Sequence, residues 1–268
     1  MKYIIEAQNF ELSDYLKRIK LAKTPEPTLE FVSEMMQQHT FTIPFENLDV
    51  QAGNIVSLVP EEIVDKIVHQ NRGGYCYEVN GILAMALQKL GISCYFTAAH
   101  SMTYGVRRPR THLVIIAKIE GKTYLLDTGF GSNGIRLPMD LSQTNQEIMQ
   151  DGQAYKLEKK GSDFNLYTRV QETWLPQYSF KKQAYEYIEF SLANYYNSTH
   201  PNSIFVKAPL IVLFTPEGKK VLSGNVIKYY VNGQMTEKTF DSMEYAAILK
   251  AEFGLSTPSV SRTSVREF

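Results

Sequence analysis

Apolar positions in the first third of the chain recur at the three- and four-residue spacing of helices. In LEFVSEMMQQH, Leu29, Phe31, Val32, Met35 and Met36 form such a stripe, and Thr28 stands where an N-cap would accept from the first turn. DYLKRIK predicts a shorter helix capped by Ser13. PEEIVDKIVHQ predicts another, with Pro60 suited to the first helical position and acids behind it that complement the helix dipole. A fourth helix lies in NRGGYCYEVNGILAMALQKLG, residues 71–91. Its stripe is Val79, Ile82, Leu83, Ala86, Leu87 and Leu90, and Gly91 is its stop.

The pattern then changes to strands. ISCYFTAAHSM, THLVIIAKI and KTYLLDTGF are rich in β-branched and aromatic residues, and Glu120-Gly121-Lys122 reads as a hairpin turn between the last two. YKLEKKGSDFNLYTRV and ETWLPQYSF continue the β character, followed by a small helix in AYEYIEFSLANYYNS. APLIVLFT, KKVLSGNVIKYYVN and QMTEKTF read as three antiparallel strands, and Asp241 as the cap of a terminal helix, SMEYAAILKAEFG. The fold class expected is α+β: an N-terminal helical bundle over 1–92, a central antiparallel β-barrel over 93–199, and a C-terminal α/β lid over 200–268. No internal repeat or low-complexity linker interrupts the 268 residues.

Charge excludes some partners. The chain balances 28 basic against 28 acidic residues, so nothing draws it electrostatically to nucleic acid or an anionic membrane. Pairs such as Arg107-Arg108 and Lys219-Lys220 read as solvated faces. No run of about 18 apolar residues suggests a membrane span, and the N-terminus carries no signal-peptide pattern. A cytoplasmic location is expected, with Cys76 and Cys94 as reduced thiols; a single bridge between them is the alternative. The five histidines are scattered and no Cys-x-x-Cys occurs, so no metal is expected.

Cys76 changes the picture. Two glycines and a tyrosine that reads as exposed precede it, and it falls in the first turn of a helix, where free amides and the dipole favour a thiolate. Such a nucleophile needs a base, and the base an orienter. His112 in RTHLVII and Asp127 at the end of YLLD follow in order. If their strands turn near Gly121, the two are nearly cross-strand neighbours, close enough for an imidazole–carboxylate bond. A buried structural cysteine and a structural strand histidine remain the plain alternative. His100 is a rival base without a nearby carboxylate.

These residues resemble a known family. RGGYCYEVN is similar to the catalytic-cysteine motif of the arylamine N-acetyltransferases. IPFENLDV (43–50), THLVI (111–115), YLLDTGFG (124–131) and STHPNSIF (198–205) resemble further motifs of that family, in its order. The resemblance implies a cysteine-protease-like catalytic core with Cys76, His112 and Asp127 as triad. It also implies ping-pong transfer from acetyl-CoA to an arylamine, arylhydrazine or N-hydroxyarylamine, with CoA as co-substrate. By the same resemblance Phe45, Phe130 and Phe205 form an aromatic acceptor pocket, and Thr111, Gly129 and Gly131 lie beside the pantetheine arm. His200, Ser203 and Lys207 fall on the CoA side, Lys207 on charge alone. Arg72 is expected to bond Glu46 and Asn47 as structural support. Thr128 stands where many members carry valine, a change expected to leave the mechanism untouched.

Other chemistries share this constellation. A papain-like or transglutaminase-like thiol hydrolase uses the same order of residues, and an amide synthase acting on carrier-bound acyl chains has similar motifs. A binding domain with a vestigial triad is a further class, against which the complete set of motifs argues.

Overall fold

The computed structural model describes residues 5–103, 105 and 108–257. Arg107 and the outer ends of the first and third expected domains lie outside that range. Helix α1, Leu12–Arg18, starts two residues earlier than expected: Glu11 is its N-cap and Ser13 falls inside the first turn. Helix α2, Leu29–Thr42, begins as expected, with Thr28 Oγ1 accepting from Phe31 N at 3.2 Å. A two-residue strand, β1 (Phe45–Glu46), and one helical turn, α3 (Leu48–Gln51), follow; both are too short to leave a periodicity. Pro60 opens α4, Pro60–Val64, which continues as a π-helical turn over Asp65–His69.

Helix α5, Cys76–Lys89, is the centre of the molecule. The stripe expected from its sequence proves to be burial on every side as far as Leu87, with Glu78 and Asn80 included. Gly91, at φ 74°, closes the helix by donating to Gln88 O, and Ile92 N donates to Leu87 O.

Eight strands form one antiparallel sheet. They are β2 (Ser93–Ser101), β3 (His112–Ile119), β4 (Lys122–Leu126), β5 (Met139–Asp140), β6 (Glu147–Gln150), β7 (Gln153–Lys160), β8 (Asp163–Val170) and β9 (Thr173–Lys181). Their order is β5-β4-β3-β2-β9-β8-β7-β6. The β3–β4 hairpin turns on Glu120 and Gly121, both at positive φ, the geometry that matches strand twist. The barrel expected from sequence is an open half-barrel, since β5 and β6 are edges that do not pair. The Gln150 side chain bridges the gap instead, accepting from Arg136 N and Leu137 N and donating to Leu137 O. Helix α5 packs on β3 and β2.

A 3-10 turn (Tyr187–Phe190), α6 (Ser191–Thr199) and α7 (Ile204–Lys207) lead to a second sheet. KKVLSGNVIKYYVN, expected as one strand, is two. Gly224 at φ 58° turns the chain between β11 (Gly218–Ser223) and β12 (Val226–Val231), so four strands stand where three were expected. The others are β10 (Leu210–Thr215) and β13 (Gln234–Thr239). Asp241 then starts a capped 3-10 turn that enters α8, Tyr245–Phe253. Strand β1 pairs with β10, Phe45 opposite Val212, so the expected helical domain lends an edge strand to the lid. Among the described residues no helix is long and apolar enough to cross a membrane.

Candidate active site

The cysteine loop is shaped by close approaches. A Cβ on Gly73 would lie 2.0 Å from Pro44 O, and one on Gly74 would lie 2.6 Å from the Glu78 carboxylate. Only glycine fits either position. Tyr75 is fully buried rather than exposed. Its hydroxyl bonds Asn194 and Ser198, and its ring meets Tyr77 and Phe205 edge-on. Glu78 Oε2 accepts from Tyr75 N at 3.0 Å and fixes the helix start. Cys76 thus enters as the first helical residue, itself buried.

A charge cluster lies behind the loop. Arg72 Nε and Nη2 both donate to Glu46 Oε1, at 2.9 and 2.7 Å, and Nη2 lies 3.3 Å from Asp49. Lys66 Nζ sits 2.6 Å from Glu78 and 2.5 Å from Asp49. Burial, with Glu46 and Asp49 nearby, outweighs Lys66 and pushes the Glu78 carboxyl up to about 7. Arg72 therefore bonds half of the Glu-Asn pair as expected. Asn47 instead donates to Phe205 O and Ala208 O and accepts from Leu210 N, tying the start of β10 to the helical part.

His112 and Asp127 meet directly: Nε2 lies 2.7 Å from Oδ2, with both residues buried. Burial would lower the imidazole's pKa, but the Asp127 carboxylate and the Cys76 sulfur hold it up at about 10. With Nε2 committed to Asp127, the other ring nitrogen is left to bond Cys76. Asp127 Oδ1 accepts from Asn80 Nδ2 at 3.0 Å and Gly129 N at 2.9 Å. Asn80, one turn after Cys76 on α5, also donates to Leu113 O and accepts from Thr128 N and Thr128 Oγ1. Sequence reasoning missed Asn80; its signal was an amide inside an otherwise apolar helical run. Thr128, which stands where many family members were expected to carry valine, adds its hydroxyl to this network through Asn80 Oδ1. Tyr178 was also missed: its ring lies 5.0 Å from that of His112 and 4.9 Å from that of Phe130.

The thiol and imidazole open on a cavity of about 350 Å³. Phe45, Phe130 and Phe205 all line it, as do Thr111, Gly129, Gly131, Ser203 and Lys207. Phe45 and Phe205 touch, 5.9 Å between ring centres. The glycines serve the protein's own packing first. A Cβ on Gly129 would lie 2.6 Å from Cys76 Cα, and one on Gly131 would lie 2.4 Å from the Phe45 ring. Ser203 is buried as the cap of α7, donating to Asn197 O and accepting from Phe205 N. His200 is not among the lining residues. It stacks on Tyr196 at 4.5 Å and accepts from Asn202 N. His100, the rival base, is not in the cavity wall either. Cys76 and Cys94 are both free.

An N-acetyltransferase family model matches residues 28–261. The chain is 31% identical to the arylamine N-acetyltransferase of Mycobacterium tuberculosis strain H37Rv, over 96% of this chain and 93% of the relative. It is 27% identical to the arylamine N-acetyltransferase / N-hydroxyarylamine O-acetyltransferase of Salmonella typhimurium, over 93% and 90%. The solved structure of Mycobacterium marinum arylamine N-acetyltransferase in complex with CoA superposes with a TM-score of 0.86 at 28% identity, over 91% of this chain and 92% of that one. The fold is thus that of an acyltransferase. More narrowly, the chain belongs to the arylamine N-acetyltransferase family.

Proposed function

We propose that the protein acetylates arylamines and arylhydrazines, and N-hydroxyarylamines on oxygen, from acetyl-CoA through an acetyl-cysteine on Cys76. The observation that carries this reading is the 2.7 Å His112–Asp127 pair set beside Cys76 at the mouth of the aromatic cavity. In the first half-reaction the Cys76 thiolate attacks the acetyl carbonyl. The carbon–sulfur bond to CoA breaks, and the CoA thiolate leaves with the proton held by His112. Exchange of one thioester for another is nearly balanced in energy. In the second, the amine nitrogen attacks acetyl-Cys76, His112 takes its proton, and the amide departs as the thiolate re-forms. Asp127 orients the ring and stabilises its cation. The Cys76 amide, at the helix start where first-turn amides have no intrahelical acceptor, is the oxyanion donor.

Aryl acceptors suit this site because aniline-type nitrogens stay unprotonated at neutral pH and their rings match Phe45, Phe130 and Phe205. Thr111, Gly129, Gly131 and Lys207 face the CoA arm at the cavity wall, while Ser203 holds α7, and with it Phe205, in place. His200 we place outside the CoA contacts. Arg72, Glu46 and Asn47 support the cysteine loop and the lid. The division into 1–92, 93–199 and 200–268 is functional: nucleophile, base with orienter, and lid. Two free thiols fit a cytoplasmic enzyme.

The test is mass spectrometry of the protein after acetyl-CoA, then after an aromatic amine. One acetyl group on Cys76, released as the acetylated amine, is expected. Peptide cleavage without CoA would instead mark a thiol hydrolase, and transfer only from carrier-bound acyl chains an amide synthase.

A further inference from the structure

The loop that carries Phe130 is fastened from the far side by two cations. Lys219 on β11 donates from Nζ to Ser132 O at 3.1 Å and to Asn133 Oδ1. Arg136 reaches the same hairpin, donating from Nη2 to Gly218 O at 3.1 Å, with its guanidinium 5.1 Å from the Phe214 ring. Tyr155 donates to Gly134 O at 2.7 Å and holds the loop's other end. Ser132 lines the cavity beside Phe130 and Gly131, so the Lys219 bonds end on the cavity wall itself. The Lys219 ammonium sits in an expensive place. Burial, with Arg136 nearby, pulls its pKa down to about 8, and it lies 5.1 Å from the Tyr230 ring. The pair Lys219-Lys220 is therefore not a solvated face on both sides: Lys220 turns to Glu252 at 2.9 Å while Lys219 turns inward.

The cavity of about 350 Å³ lies near the lower end of the roughly 300–1,000 Å³ usual for small-molecule sites. It has to admit an acetyl group and an acceptor together, so the position of the Phe130–Gly134 loop decides how large a ring system enters. We propose that Lys219 is a specificity-determining positioning residue: by fastening Ser132 and Asn133 to β11 it holds the acceptor side of the cavity to single-ring amines. The proposal rests on the acetyl-transfer reading above.

The test compares kcat/KM for an aniline-type acceptor and for a fused three-ring arylamine, in wild type, Lys219→Met and Asn133→Ala. Lys219→Met keeps the apolar stem and removes the donors. It should shift the ratio of the two acceptors about tenfold toward the larger ring, the scale of one lost charged hydrogen bond. Asn133→Ala, which removes one acceptor from the other side, should shift it the same way by less, and the double variant no further than Lys219→Met. Acetylation of Cys76 by acetyl-CoA alone should stay within about twofold of wild type, since the Lys219 hydrogen bonds end on Ser132 and Asn133 and not on the triad. A ratio unchanged in both variants, or equal loss for both acceptors, overturns the proposal. Should Lys219→Met fail to fold, Asn133→Ala decides it alone. A wild type that takes no acetyl group on Cys76 would refute the acetyl-transfer reading itself.

Discussion

Asp127 reaches His112 along a diagonal of the sheet. The β3–β4 ladder sets Ile115 opposite Leu126, a register whose extension places Gly129, not Asp127, across from His112. The chain leaves the ladder after Leu126 and folds back, Gly129 N donating to Asp127 Oδ1 at 2.9 Å, and this swings Oδ2 to 2.7 Å from His112 Nε2. Asn80 holds the same carboxylate from the helix side. The nucleophile's helix and the base's orienter are thereby one hydrogen-bonded unit.

That unit has a pH signature. His112 is held at about 10, above its ordinary value of 6.5. It therefore contributes stability that is complete below pH 6.5 and is lost as pH rises through 10. In Asp127→Asn the carboxylate is gone and burial dominates, so this loss should largely disappear. Melting temperatures from pH 6.5 to 10 should fall more steeply for wild type than for the variant; parallel curves would mean that Asp127 does not hold the imidazolium. Cys76 acetylation in the variant should drop by at least about 10²-fold, scaled down from the roughly 10⁴ of the serine-triad case.

The two thiols should behave differently. Burial pushes the Cys94 thiol up to about 12, with no cationic partner among the described residues to offset it. Cys76 has the imidazolium beside it. Acetyl-CoA and iodoacetamide should both modify Cys76 first, and Cys76→Ala should abolish acetylation while Cys94→Ala leaves it intact. An acetyl adduct that persists in Cys76→Ala would show that the nucleophile lies elsewhere.

Asn80→Ala should cost about 2–3 kcal/mol of stability, because Thr128 N and Leu113 O lose a buried partner. It should also slow acetylation, since Asp127 is then held on Oδ1 by Gly129 alone. Denaturant unfolding and single-turnover acetylation measure the two effects separately. A large stability loss at unchanged acetylation rate would make Asn80 a purely structural amide.

Much of this site could be read in advance, and the reasons are local. The start of α5, the Glu120-Gly121 turn and the order Cys76, His112, Asp127 each leave a mark within a few residues. What could not be read was set by long-range packing. Tyr75 reads as exposed beside two glycines, yet Asn194 and Ser198, more than a hundred residues away, bury its hydroxyl. Asn47 was paired with Arg72 on the family resemblance alone; its partners are Phe205, Ala208 and Leu210. The barrel proved open because its ends are strands of two and four residues in a segment with no periodicity. The Gly224 turn was hidden inside what looked like one long strand.

The two glycines of the Asp127–Gly131 segment should separate the half-reactions. In Gly129→Ala the new methyl lies 2.6 Å from Cys76 Cα, a backbone atom at the buried start of α5 that has nowhere to move. The loop must retreat instead, and Asp127, two residues away, retreats with it. Acetylation of Cys76 should therefore fall by about 10²-fold or more, as expected when a triad is misplaced by about 1 Å. In Gly131→Ala the methyl meets the Phe45 ring at 2.4 Å. A side chain can give way where a backbone cannot, so Phe45 should turn into the cavity and the triad should stay in place. The expected result is a smaller loss of acetylation by acetyl-CoA than in Gly129→Ala, since Gly131 also faces the CoA arm, together with weaker acceptor binding, seen as a raised acceptor KM. Rapid-quench measurement of acetyl-enzyme formation, set beside steady-state acceptor kinetics, resolves the two variants. If Gly131→Ala slows acetyl-enzyme formation as much as Gly129→Ala does, Phe45 belongs to the thioester side of the cavity and not to the acceptor side.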